Sequence, residues 1–322
     1  MIFFNKKYHF LKEFQLLIRQ MENKEVVTPT GDFYCESTIT NYKQMIYTYK
    51  AYENHLRKNI FLKDIDYQWC EKFRLWLLDK GYSKNTIAVK MSNLKAFLRR
   101  MQKAGKAPYD GSGVRTPTEI TTAVFTSIAE LKALLQMELP AGASKVRDVY
   151  VCQCFMGLRV ADAVKLLCNL PLHIKEVAGK RFLEIKTAKT GEVVVIPMAT
   201  VVAQIAERRN YDFGKPFSQQ HYHKTLRKII AKSNLNREVI FNRTEGGVMQ
   251  ERTMLYSELI GTHTARRTFA TNAYLSGLNP VDIMKITGHR SFNSFIRYIR
   301  CENTAVALKI SNHEFFTMPL ND

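Results

Sequence analysis

The stretch 105–118, GKAPYDGSGVRTPT, packs three glycines and two prolines into fourteen residues and can continue neither a helix nor a strand. It interrupts a chain of 322 residues, longer than one hydrophobic core usually serves. The chain therefore divides into a domain at 1–108, a linker at 109–118 and a second domain at 119–322. Upstream, apolar residues recur at spacings of three and four, which predicts helices over 8–20, 37–57, 68–80 and 83–104. In the last of these Ile87, Met91, Leu94, Leu98 and Met101 form one stripe. Downstream, Ser127 and Glu130 have the spacing of a capping box ahead of Leu131, Leu134 and Leu135. A helix over 145–156 is broken by Gly157, and strands at 181–187 and 192–197 flank Thr190-Gly191 as a β-hairpin. Further helices are expected near 199–209, 219–233, 264–276 and 280–287, the last opened by Asn279-Pro280 and stopped by Gly288. The expected fold class is mainly α with a small antiparallel β-sheet.

Charge narrows the choice of partner. The formal net charge is +19, and it is shared: residues 1–110 carry 20 Lys/Arg against 11 Asp/Glu, the remainder 28 against 18. An excess in both halves suits two domains gripping one polyanion, because each neutralised phosphate releases counterions. Between Lys80 and Tyr109 stand eight basic residues and no acidic one. Most surface helices mix signs for the sake of pairs four apart, so Lys84, Lys90, Lys95, Arg99, Arg100 and Lys103 are the candidate phosphate contacts. No apolar run approaches the ~20 residues of a membrane span. The apolar start, Met1 to Phe4, meets Lys6 and Lys7 at once and lacks a signal-peptide core, so a cytoplasmic protein with no membrane partner is expected. Cys35, Cys70, Cys152, Cys154, Cys168 and Cys301 are scattered, mostly within apolar runs, and read as free, buried thiols, neither a zinc site nor a disulfide framework.

Four local patterns carry chemistry. Met156-Gly-Leu-Arg-Val-Ala-Asp162 sets Arg159 just past a helix break, with Asp162 placed to orient it or to cap the next helix. Ala188-Lys-Thr-Gly191 puts Lys189 at a hairpin tip; Lys186, three residues earlier, competes with it, and the turn position favours Lys189. His263-Thr-Ala-Arg-Arg-Thr-Phe-Ala270 places His263 and Arg266 on one helical face. Gly288-His289 is followed by Tyr298, flanked by Arg297 and Arg300. Each has a plain alternative: Arg159 as a salt-bridged surface residue, His263 as a cap or core histidine, Tyr298 packed with Phe292, Phe295 and Ile299. Together they meet the demands of metal-free phosphodiester cleavage by a tyrosine. Two arginines suit the non-bridging oxygens, proton donors serve the leaving 5′ oxygen, and a base takes the proton of a phenol whose ordinary pKa is about 10.

In order and spacing this set resembles the tyrosine recombinases of the phage-integrase family. The resemblance covers about 119–310, and 8–104 is similar to the helical, SAM-like core-binding domain that family members place upstream. The phrases HTARRTFATNAY and ITGH resemble integrases and invertases of Bacteroides-type bacteria and their mobile elements. The resemblance implies a two-domain clamp on duplex DNA, a 3′-phosphotyrosyl intermediate, and no metal, nucleotide or other cofactor. It implies that Arg159 and Arg266 hold the scissile phosphate and Lys189 protonates the 5′ oxygen. His263 would act as general acid/base, His289 would donate a hydrogen bond to the phosphate where some members carry Trp, and Tyr298 would attack. Asp162 stands in support.

The partners it implies are double-stranded DNA with inverted half-sites, a homotetramer on two sites (a monomer or weak dimer when free) and accessory DNA-bending proteins. The chain opens almost at the core-binding domain, so a simple recombinase on short half-sites, or one lacking an arm-binding domain, is expected. The apolar tail at 304–310 with Phe315-Phe316 would pack on its own domain or dock on a neighbouring protomer. A type IB topoisomerase and a DNA-binding regulator are the alternatives. The first uses the same chemistry without pairing sites; the second would lack a chemical residue, and none is missing.

Overall fold

The computed structural model describes residues 7–301, 303–311 and 314–318. The apolar start at 1–4 and the tail positions 312–313 and 319–322 lie outside the described residues. The chain packs as two compact units, the first Met1–Thr121 with Asn242–Glu251, the second Thr122–Phe241 with Arg252–Asp322.

Unit 1 is built on four long helices: α1 (Phe10–Glu22), α2 (Glu36–Leu56), α3 (Tyr67–Asp79) and α4 (Lys84–Lys103). Short polar side chains set their starts. Asp66 accepts from Trp69 N ahead of α3, and Ser83 accepts from Thr86 N ahead of α4. The stripe Ile87, Met91, Leu94, Leu98 and Met101 is buried and meets an aromatic core. In that core Phe10 lies edge-on to Tyr49 at 4.7 Å and Phe14 edge-on to Phe97 at 4.9 Å. Each such side chain contributes about 1.5–3 kcal/mol by leaving water. The stretch 242–251 adds to this unit, Gly246 N donating to Tyr82 O at 3.4 Å and Thr244 N to the Glu119 carboxylate at 3.0 Å.

Unit 2 is mainly helical around α6 (Ala141–Met156), which is buried on nearly every side from Val146 to Cys154. Packed around α6 are α5 (Ile128–Gln136), α7 (Val160–Leu167), α9 (Thr200–Arg208), α10 (Gln219–Ala231) and α12 (Thr264–Leu275). The capping box of Ser127 and Glu130 is formed in both directions. After the single turn α8 (Leu170–His173) come β1 (Ile174–Val177), β2 (Lys180–Lys186) and β3 (Val193–Pro197), an antiparallel sheet in which Leu183 pairs Ile174 on one side and Ile196 on the other. A second hairpin, β4 (Glu238–Glu245) and β5 (Val248–Leu255), leads into α11 (Tyr256–Leu259). The chain continues through α13 (Pro280–Thr287), α14 (Phe292–Ile296), α15 (Asn303–Ile310) and α16 (Glu314–Thr317).

Against the expectation of one small sheet, the described residues form two. The second hairpin escapes a hydrophobicity reading because charged residues occupy both faces of its strands; its one signal is Gly246-Gly247, with φ of 56° and 83° as a tight hairpin turn requires. Of the cysteines expected to be buried, Cys70, Cys152 and Cys154 are, whereas Cys168 and Cys301 are partly exposed and Cys35 is exposed. Among the described residues no helix is long and apolar enough to cross a membrane.

Candidate active site

Helix α6 stops at Gly157, whose φ of +66° and proximity to α12 exclude a side chain: a Cβ there would lie 2.5 Å from the Phe269 ring. The reversal makes Arg159 the N-cap of α7 and leaves it partly exposed. Asp162, 3% exposed, neither caps α7 nor bonds Arg159. Its carboxylate accepts from Ala188 N at 2.9 Å and so ties the turn carrying Lys189 to the start of α7. The expected role for Asp162 is corrected accordingly. Arg159, Asp162, Ala188, Lys189, Thr262 and His263 are among the residues lining a cavity of about 140 Å³. Lys186 sits on β2 opposite Val193 and is not among them.

His263 caps α12 in helical conformation, and Arg266 follows one turn on, 2% exposed. The Arg266 guanidinium is fixed by the chain itself: NH1 donates to Gly157 O at 2.9 Å and NH2 to Thr287 O. Its Nε is buried without a partner. Thr287 is the last residue of α13, and Gly288, with φ of +64°, turns the chain so that His289 falls just beyond the helix. There His289 Nδ1 lies 2.7 Å from Thr287 Oγ1 and Nε2 3.4 Å from Arg266 NH2.

Tyr298 does not belong to a helix. It occupies a turn after α14, its N donating to Phe295 O at 2.8 Å. The Thr271 hydroxyl on α12 donates to Tyr298 O at 3.2 Å and accepts from Arg300 N at 3.0 Å. The phenol oxygen stands 3.4 Å from His263 Nδ1. Its ring lies 4.7 Å from that of His289 and 5.6 Å from the Arg266 guanidinium carbon. One small volume thus collects the six residues singled out in the sequence.

None of Arg159, Lys189, Arg266 or Arg267 pairs with a carboxylate among the described residues. The uncompensated charge is felt by its neighbours. Burial, then Arg266 and Arg159, hold the His289 imidazole down at about 4. Burial, then Arg267, Arg266, Arg159 and Lys189, lower His263. His263 keeps an open edge to solvent, so the four cations are the firmer cause of its shift. Burial, reinforced by Arg159, pulls Arg266 down to about 10, which leaves it charged at neutral pH.

Arg267 is a site residue that the sequence reading passed over. It donates from Nε to Val124 O at 3.2 Å and from NH2 to Thr264 Oγ1 at 3.3 Å. It also lines a second cavity, of about 410 Å³, beside His263. The signal was the doubled arginine in His-Thr-Ala-Arg-Arg, of which only the first had a role.

The candidate DNA contacts in unit 1 differ among themselves. Lys90 is half-buried, donates to Thr48 Oγ1 at 2.6 Å and lies over the Tyr82 ring, so its ammonium is engaged within the unit. Lys95 and Arg100 reach the carbonyls of Val114 and Val27 at 3.5 Å. Arg99, Arg100 and Lys103 line a groove with Tyr34 and Tyr42, and Lys84 stands in the first turn of α4.

Comparison with known proteins places the chain in company. Residues 9–111 match the phage integrase SAM-like domain, and residues 130–304 match the phage integrase family. The chain is 24% identical over 281 residues to the tyrosine recombinase XerC of Syntrophus aciditrophicus (strain SB), covering 81% of this chain and 86% of that protein. It is 25% identical over 157 residues to the probable integrase/recombinase YoeC of Bacillus subtilis (strain 168), covering 47% of this chain and 79% of that one. Similar folds include the XerH site-specific recombinase bound to palindromic difH substrate (TM-score 0.62, 16% identity, 94% of this chain and 85% of that one). The Tn1549 transposon integrase in complex with circular-intermediate DNA is also similar (TM-score 0.61, 15% identity, 94% and 99%).

Proposed function

The chain belongs to the phage integrase family and is a tyrosine site-specific DNA recombinase, and from that premise we propose that Tyr298 is its nucleophile, acting on a phosphate held by Arg159 and Arg266. The observation that carries the assignment is the buried, unpartnered Nε of Arg266, whose guanidinium lies 5.6 Å from the Tyr298 ring and forms no ion pair among the described residues. An unsatisfied buried donor costs about 1–3 kcal/mol, and an oxyanion arriving from solvent removes that cost.

In the proposed reaction the Tyr298 oxygen bonds to phosphorus as the bond from phosphorus to the 5′ oxygen breaks. The phenol proton passes to His263 Nδ1, the nearest acceptor at 3.4 Å. That separation is long for a hydrogen bond and is expected to tighten once the phosphate is bound. The 5′ oxygen leaves with a proton from Lys189, which the bond from Ala188 to Asp162 keeps at the cavity. Arg159 and Arg266 bear the charge on the non-bridging oxygens, and His289 adds a further contact to them. The ester to Tyr298 preserves the bond energy, so the 5′ hydroxyl of another strand reverses the steps and seals the join without ATP.

Unit 1, which takes in the expected domain 1–108 and the stretch 109–118, would serve as a DNA-binding domain using α4, and unit 2 would cleave. The expected substrate is duplex DNA with inverted half-sites, paired by four copies with accessory DNA-bending proteins in the cytoplasm. The tail favours assembly: Leu308, Phe315 and Phe316 are 69%, 71% and 59% exposed, apolar surface that a neighbouring copy would cover. The test is a nicked suicide duplex, which traps the covalent adduct. Wild-type protein should accumulate it and Tyr298→Phe should form none; an adduct in the variant removes Tyr298 from the role.

A further inference from the structure

We infer that Thr287 is a positioning residue: its hydroxyl holds His289 as the Nδ1–H tautomer with the Nε2 lone pair toward Arg266, so that His289 donates to a phosphate only after taking up a proton. The inference deepens the recombinase reading and rests on it for the phosphate.

The argument is one of donors and acceptors. Thr287, 1% exposed, owns a single hydroxyl proton. Ile283 O, 2.7 Å away, can only accept, so the proton lies there. Thr287 Oγ1 is then the acceptor in its 2.7 Å contact with His289 Nδ1, and that nitrogen must carry the ring's hydrogen. A neutral imidazole has one N–H, so Nε2 is bare. Nε2 faces Arg266 NH2 at 3.4 Å, a group that can only donate. The opposite tautomer fails at both ends. It sets an N–H against the guanidinium, and it leaves Nδ1 and Ile283 O competing for one proton.

The assignment is rigid. His289 N donates to Met284 O at 3.1 Å, closing the cap beyond Gly288, and the Thr287 carbonyl accepts from Arg266. One residue thus holds both the ring and the guanidinium. The charged and titratable groups around the ring are Arg266 on α12, Arg159 at the start of α7 and Tyr298 after α14. Burial and the two arginines keep the ring neutral until an anion offsets them.

The experiment is nitrogen NMR of the full chain carrying ¹⁵N-histidine, with His289 assigned by its loss in His289→Gln, alongside single-turnover adduct formation on the nicked duplex. Wild type and Thr287→Ser should show Nδ1 protonated and Nε2 bare. Thr287→Val should lose that signature and form adduct about tenfold more slowly, with DNA binding unchanged and Thr287→Ser restoring the rate. Nε2–H in the wild type overturns the inference, as does a Thr287→Val protein with the wild-type signature or the wild-type rate. Failure of the wild type to form any adduct would instead sink the recombinase reading, and the spectrum would still decide the tautomer.

Discussion

Unit 2 gathers arginines in two places and treats their charge in opposite ways. Arg147, Arg208 and Arg209 converge on a single carboxylate, Asp148, 1% exposed, at 2.9, 2.9 and 2.6 Å. Arg147 also donates to Met137 O at 2.6 Å, and Arg209 to Ser144 Oγ at 3.2 Å, so the cluster is closed by the chain itself. Around Tyr298, the partners of Arg266 and Arg267 among the described residues are backbone carbonyls, a hydroxyl and the His289 ring, none of them a carboxylate, and Arg266 keeps an idle buried donor. Both clusters bear the cost of burying guanidinium groups, yet only the first is complete without a ligand. On the proposed reading the difference separates an arginine that holds a fold from one set to meet an anion: the first has its carboxylate, the second a fixed geometry without one.

The comparison can be broken at either end. The largest effect should come from Asp148→Ala, which strands the buried Arg147 and the mostly buried Arg209 beside a vacated site and should cost about 3–5 kcal/mol in denaturant unfolding. A loss below about 1 kcal/mol would mean that the carboxylate is incidental. Next, Arg266→Lys replaces a planar fork by a point charge. Adduct formation should fall about a hundredfold to a thousandfold, with a smaller drop in melting temperature than Asp148→Ala gives. A near-normal rate would show that the fork is not what holds the phosphate.

The smallest effect is a pH dependence. His289 is depressed in the folded protein from the ordinary 6.5 to about 4. As pH falls, the unfolded chain therefore binds this proton first. The folded state should lose stability between about 6.5 and 4, and His289→Gln should flatten that slope in thermal melts. An unchanged slope would mean that burial and the two arginines do not depress this ring.

Much of the site was legible along the chain because its geometry is local. Gly157 and Gly288 each end a helix in left-handed conformation and hand on the functional residue that follows, Arg159 and His289. His263 and Arg266 share one turn of α12. What escaped depends on partners distant in sequence. Asp162 meets the hairpin turn twenty-six residues on, through Ala188 N. Lys90 turns to Thr48 on another helix, which the one-signed charge pattern does not reveal. Arg267 joins the site through Val124, far upstream. Thr287 is the exception, two residues from His289 and passed over because its part is a hydroxyl proton, which no motif records.

The most direct test of the central claim is to digest the trapped adduct and identify the nucleotide-bearing peptide by mass spectrometry. The phosphate should sit on Tyr298, with the DNA attached through its 3′ end. Attachment at any other residue, or through a 5′ phosphate, would contradict it.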